Sequence, residues 1–423
     1  MQASPTSIEI IAAFVFALAV VHTFTTRHFE RLARLHPEHA GLWHLLGEVE
    51  VVFGFWALIL MVLVAASLGT GGALTYLEGR SFTEPAFVFV IMVIAGSRPI
   101  LDFSGAALQH MGRLLPFPSA AGYYFVVLSV GPLLGSLITE PAAMTLTALL
   151  LRDQFFGRNA PKDFMYVTLG VLFVNISIGG TLTPFAAPPV VMVAEKWGFD
   201  IGTMLSLFGW KAAVAVVMNA AGAAYVFRRH LQDLPPLSPA LAKRDVPLWI
   251  VMANLAFLTV VVVFSHHPFV FIGAFLFFLG FSEAYKRYRG RLMLREGLMV
   301  AFFLAGLVTL GGWQKWWLES LLADMSPSVL FIGATLLTAI TDNAALTYLG
   351  SLVDGVSDQF KYSLVAGAVT GGGLTVIANA PNPAGFAILK GCFEDGAISP
   401  LGLLAAAAPP TLVAAAAFQL LPG

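Results

Sequence analysis

Four short polar segments interrupt an otherwise apolar chain, and they recur in the same order in each half. Residues 138–145 read ITEPAAMT and are followed at 179–189 by GGTLTPFAAPP; residues 340–347 read ITDNAALT and are followed at 371–383 by GGGLTVIANAPNP. The leading segment of each pair carries one acidic residue, Glu140 or Asp342, preceded by Thr139 or Thr341. Those hydroxyls could cap a new half-helix, with the carboxylate in its first turn beside free backbone N–H groups. In the second segment of each pair, glycines permit unwound backbone, Thr181, Thr183 and Thr375 offer hydroxyls, and prolines stop a helical ladder from reforming. A Gly/Pro cluster alone would signify only a kink, but four matched segments, two with carboxylates, point to one shared polar cavity.

The acidic residues set the sign of what such a cavity takes. A helix N-terminus contributes roughly +0.5 charge, so two bare tips would suit an anion, and two carboxylates reverse that preference. An ionisable residue at the centre of a bilayer costs about 2.5 to 3.5 kcal/mol. A bound Na+ or a proton can offset that cost. If both compete for one carboxylate, with Glu140 or Asp342 protonated when the ion leaves, exchange follows. Hydroxyl, amide and freed backbone oxygens suit a hard cation such as Na+. An anion such as a dicarboxylate or an oxyanion remains the alternative cargo, although no Lys or Arg lies within either tip. Paired acidic residues also serve intramembrane aspartyl hydrolases, but neither a Gly-x-Gly-Asp loop nor a His-Glu-x-x-His helix occurs, and no enzyme is expected.

The elements that position these residues must lie in a membrane. Of 423 residues, 58% are hydrophobic and only 11% charged, against about 25% charged in an ordinary soluble domain. Apolar runs at about 7–24, 47–68, 85–102, 164–195, 208–227, 247–264, 268–285, 297–311, 362–390 and 399–421 give about 10 crossings of an all-α polytopic protein. The first is read as a retained span. Runs 121–152 and 327–353, each split by an acidic knot, read as re-entrant helical hairpins, while 164–195 and 362–390 read as broken helices. The chain then divides into inverted repeats at 1–231 and 246–423, separated by the proline-rich linker 232–245. Of the 23 Lys and Arg, 17 fall in the predicted cytoplasmic loops, only Arg80, Lys196, Lys315 and Lys361 in outer ones, and Arg98 and Lys211 within or at the ends of spans. That positive-inside bias fixes the N-terminus outside and places the first hairpin opening from the cytoplasm and the second from outside. The expected location is a bacterial inner membrane.

These motifs and their order resemble the ion transporter superfamily, which includes bacterial sodium/proton antiporters, divalent carboxylate transporters and arsenite pumps; the whole chain is similar to a bacterial family named for Na+/H+ antiport. The motifs cover 121–195 and 327–390 directly. In that superfamily two hairpin tips and two unwound helices enclose the cargo, and one domain moves against a scaffold. The resemblance implies Thr139, Glu140, Thr145, Thr181, Thr183, Thr341, Asp342, Asn343, Thr347, Thr375, Asn379 and Asn382 as site residues, with Glu140, Asp342 and Asn343 as ligands of any bound Na+. It also implies a homodimer. Carboxylate transporters of the superfamily carry Ser-Asn-Thr at both tips, where this chain has Thr-Glu-Pro and Thr-Asp-Asn; the acidic tips look more like those of the antiporters.

Other charges near span ends read as anchors or as a gate. Glu48 and Glu50 open the second span, Arg98 lies in GSRP, and Lys211 follows Trp210. Each could snorkel to water; alternatively a Glu to Arg pair could gate the cytoplasmic path or relay protons. All nine histidines fall in loops or at span ends, and Trp313, Trp316 and Trp317 form an interfacial belt. The single cysteine, Cys392, excludes an internal disulfide, and a net charge of −1 offers no field to attract nucleic acid. The expected partners are the bilayer and a small inorganic ion; no cofactor is expected beyond transported Na+ and H+.

Overall fold

A computed structural model describes residues 5–23, 25–116, 119–156, 160–234, 246–322, 325–393 and 397–422. The linker at 235–245, with Lys243 and Arg244, and Arg158 lie outside the described residues. Among those described there is no β-strand. The main helices are α1 (Ser7–Thr23), α2 (Val49–Glu78), α3 (Thr83–Ala95), α4 (Arg98–Leu114), α5 (Ser119–Ile138), α6 (Glu140–Gln154), α7 (Lys162–Gly179), α8 (Pro188–Trp197) and α9 (Trp210–Val226). In the second half they are α10 (Leu248–Val263), α11 (Pro268–Ala284), α12 (Leu294–Gly311), α13 (Pro327–Thr338), α14 (Asn343–Ser351), α15 (Asp358–Gly371), α16 (Asn382–Leu389) and α17 (Pro400–Leu420).

Six helices are long and apolar enough to cross a membrane unaided, and α3 with α4 would make a seventh as a pair bent by 65°. The bend is a departure from the single third span expected at 85–102. Ser97 adopts extended backbone just ahead of Pro99, which has no N–H to continue the ladder. The apolar α1, α10, α11 and α13 are shorter. Large apolar side chains point away from the protein, with Phe269 95% and Phe277 71% exposed, as a lipid-facing surface requires and a water-facing one would not tolerate. The fold is that of a polytopic membrane protein.

Packing separates two groups of helices. α2 and α3 pack on α12, α1 packs on α2, and α10 and α11 pack on α3. The remaining group holds the polar segments: α5 packs on α6, α7 and α9, α17 packs on α7 and α9, and α13 packs mainly on α15. Two contacts are reciprocal. α6, after the first acidic knot, packs on α16, which follows the unwound segment of the other half; α14, after the second knot, packs on α8, which holds the matching position. The two helices flanking the second knot are the looser, because α13 leans on α15 and touches α14 only lightly, whereas α5 and α6 pack closely.

Candidate functional site

The first acidic knot interrupts the helices between α5 and α6 at Thr139, whose φ of 72° and ψ of 150° fall in a region that essentially only glycine populates. Its hydroxyl is buried and unbonded, so the expected side-chain cap does not form. Glu140 follows, fully buried. Its Oε2 accepts a hydrogen bond of 2.9 Å from Asn379 Nδ2, in the unwound segment of the other half, while Oε1 has no partner. Gly180, at the first helix break, lies so close that a Cβ there would overlap the Glu140 side chain.

The second knot is built differently. Asp342 itself caps α14: Oδ1 accepts from the N–H of Ala344 at 2.8 Å and of Ala345 at 3.3 Å. Thr341, expected to cap, instead donates to Leu337 O. Asn343 is fully buried, its N–H donates to Ala378 O at 3.1 Å, and both polar atoms of its side chain lack partners. It sits against Gly372, where a Cβ would lie 2.8 Å from Nδ2 and would also strike Ser177 of α7.

The second break ties these pieces together. Thr375 donates to Ala339 O, joining the break to the end of α13. Asn382 Nδ2 donates to Gly372 O and Thr375 O at 2.7 and 2.8 Å, which satisfies carbonyls freed by the unwinding. The outcome is a group of buried oxygens without partners: Glu140 Oε1, Asn343 Oδ1, Asn379 Oδ1, Asn382 Oδ1 and Thr139 Oγ1. Buried polar atoms are seldom left unbonded, and oxygens of this kind, one of them a carboxylate's, can ligate a hard cation. Among the described residues no three His, Cys, Asp or Glu cluster as a metal site, so any cation here rests on mixed oxygen ligands.

A cavity of about 240 Å³ reaches Asp342 and Asn379 from Gly47, Glu48 and Glu50, with Val300, Phe303 and Pro383 among its other walls. Both acidic knots therefore border residues 376–382: Glu140 through its bond to Asn379, and Asp342 through the cavity wall it shares with Asn379.

The other expected site residues divide. Thr145 and Thr347 hydroxyls donate to carbonyls of their own helices, and Thr181 to Ile178 O, so these three shape the helices rather than face an open site. Thr183 donates to Ser136 O and ties the first break to α5. The expected Glu to Arg gate takes a different partner: Glu48 pairs with Arg295 of α12, whereas Arg98 pairs with Asp102 one turn along α4 at 3.1 Å. Lys211 does not snorkel. It is 2% exposed and donates to Tyr362 OH at 2.9 Å, with the ammonium 4.6 Å from the ring centre.

Several residues that sequence reasoning passed over also hold the site together. Ser136 donates to Gly179 O and accepts from Leu182 N–H, clamping α5 to the first break. Ser177 donates to Val369 O across the halves. Asn175 donates to Leu128 O and Val216 O and accepts from Asn219. Their signal was a lone polar residue in an apolar helix, which the expense of burying an unpaired amide makes informative.

Apolar outside, helical throughout, and polar at buried helix breaks, the chain is a multi-pass membrane protein of the kind that carries small solutes past a bilayer. A family model described as "Putative Na+/H+ antiporter" matches residues 7–421, nearly the whole chain. The chain belongs to that family, which places it among ion-transporting membrane antiporters of the cation/proton type rather than among enzymes. No curated protein matches it.

Proposed function

We propose that the protein exchanges Na+ for H+ across a bacterial inner membrane, with the cation held between Glu140, Asn379 and Asn343 and with Asp342 on its path to the cavity. The observation that carries this reading is the fully buried Glu140 carboxylate, bonded on one oxygen to the opposite half and unbonded on the other. An ionised carboxylate in that position needs a counter-charge. Na+ or H+ supplies it, and one carboxylate cannot hold both, which is the physical basis of exchange.

The reciprocal contacts of α6 with α16 and α14 with α8 support inverted repeats, each with a hairpin and a broken helix. α5 has 20 residues, about 30 Å of helix, so its length alone suits either a hairpin leg or a crossing. The re-entrant reading rests on the charge balance of the loops. On that reading Glu48 and Glu50 lie at the cytoplasmic mouth. α1 to α3 with α10 to α12 form the scaffold, and the polar group moves against it.

Proteoliposomes with an internal pH dye, challenged in turn with Na+, Li+, K+ and succinate, test the proposal. Proton movement driven by Na+ or Li+ supports it. A response to succinate alone would replace the cation with an anion.

A further inference from the structure

Asp342 stands between two chambers of different character. One is the cavity that carries acidic and amide side chains, Glu48, Glu50 and Asn379, among apolar walls. The other, about 90 Å³, is walled almost wholly by apolar side chains, among them Phe16, Val20, Phe53, Phe303, Leu346 and Leu349. Phe303 and Ile377 border both chambers, so the two meet at the aspartate. An apolar chamber several times larger than the roughly 10–15 Å³ that one water needs has no use for a hydrated ion, because apolar cavities stay dry or take apolar guests.

The rings and the carboxylate supply a second half of the recognition. Phe16 and Phe53 meet edge to face at 6.1 Å, and Phe53 and Phe303 at 5.1 Å, forming a continuous aromatic wall. The Asp342 Oδ1 is held by the N–H groups of Ala344 and Ala345, and no hydrogen bond within the described residues engages Oδ2. Aromatic faces and a carboxylate with one uncommitted oxygen recognise a substituted ammonium, through cation–π attraction and charge pairing.

We propose that this chamber binds a lipophilic organic ammonium ion, its nitrogen at Asp342 and its alkyl chain among Phe16, Phe53, Phe303 and the leucines of α14, in competition with Na+. The inference deepens the reading given under Proposed function, since it assigns a second class of cation to the same aspartate. α1, α2 and α12 supply one wall and α14 the other, so an occupant would also wedge the seam between the two helix groups.

The test uses the full chain in nanodiscs with tetramethylammonium and the ethyl-, butyl- and hexyltrimethylammonium ions, which carry no exchangeable proton. Binding is read as thermal stabilisation, and competition as inhibition of Na+-driven proton movement in proteoliposomes. Apparent affinity should rise about fourfold per methylene until the chamber fills. Asp342→Asn should abolish binding of the whole series. Val20→Phe, or Leu349→Phe should the first not fold, should flatten the chain-length dependence by filling the chamber. A dependence that survives both substitutions reports partition into lipid and overturns the proposal, as does absence of binding. Binding without competition keeps the chamber but removes Na+ from Asp342; Na+ exchange without ammonium binding removes the chamber alone.

Discussion

Glu140→Gln is the sharpest perturbation of the proposed ion site, because it removes a charge and almost nothing else. The glutamine carbonyl can still accept the 2.9 Å bond from Asn379, so the link between the halves survives. What changes is the position of Oε1, the oxygen without a partner, which becomes an NH2 donor. An interaction with a charged group is worth about 1.5 to 3 kcal/mol, and an NH2 turned toward the cation forfeits all of it. The loss predicts about ten- to hundredfold weaker Na+ binding. The proton-coupling step, which needs a group that ionises, should disappear.

Two measurements separate those effects. At a Na+ concentration 100 times the dissociation constant, bound ion stabilises the wild-type protein by about 2.7 kcal/mol. With affinity lowered ten- to hundredfold, the same concentration stabilises the variant by only about 0.4 to 1.4 kcal/mol. Thermal unfolding in detergent, titrated with NaCl against choline chloride, reads that difference directly. Without Na+ the variant should be the more stable of the two, since a glutamine is neutral outright whereas a buried carboxyl must take up a proton to become so. The pH-dye assay should show no Na+-driven proton movement. If Glu140→Gln responds to Na+ within about twofold of wild type in both assays, Glu140 is a structural carboxylate and the reasoning fails.

Three further outcomes follow from the same geometry. Thr139→Gly should relieve a conformation that costs a non-glycine residue about 1 to 3 kcal/mol, less about 0.5 to 1 kcal/mol for glycine's added freedom when unfolded; a lowered melting temperature would show the tip to be unstrained. Gly372→Ala, whose Cβ meets Asn343 and Ser177, should destabilise by about 1 to 3 kcal/mol and sharply reduce Na+ exchange, whereas Gly222→Ala, which meets nothing, should do neither; equal effects of the two would argue against a tightly built break. The Lys315 ammonium, 2.5 Å from Asp354, holds that exposed carboxyl below the usual carboxylate range. Its small contribution is present above the unfolded-state value near 3.9 and lost as pH falls through the lower folded value. The melting-temperature gap between wild type and Asp354→Asn should therefore be present at pH 7 and close below about pH 4; a gap that widens on acidification would contradict the pairing.

How much of this was legible depends on range along the chain. Element ends were readable because polar residues punctuate apolar runs: 399–421 became Pro400–Leu420, and 327–353 split at its acidic knot into Pro327–Thr338 and Asn343–Ser351. The bend near Arg98 was missed because GSRP drew attention to its charge, although Ser97 and Pro99 carried the break. Partners distant in sequence were beyond reach. Nothing local says that Glu48 meets Arg295, that Lys211 lies against Tyr362, or that Glu140 is bonded to Asn379. The strain at Thr139 was hidden for the opposite reason, since a β-branched residue is the last one expected at positive φ.

The matched motifs left open whether Glu140 or Asp342 carries the proton, and the surroundings of the two differ. Glu140 is enclosed, braced by Asn379 and pressed on Gly180. Asp342 is partly exposed, with one oxygen fixed by a helix N-terminus and its flank open to the cavity that Glu50 also lines. In the exchange proposed above, the two would take successive roles: Asp342 collecting a cation from the cavity, and Glu140 acting as the deeper exchanger. The cavity at Asp342 reaches Glu48 and Glu50, which on the proposed topology lie at the cytoplasmic end of the bundle. An opening to the other side would need α14 and the second break to move relative to α1, α2 and α12. That is the seam where the walls of both chambers meet, so closure of one route and opening of the other can be a single displacement.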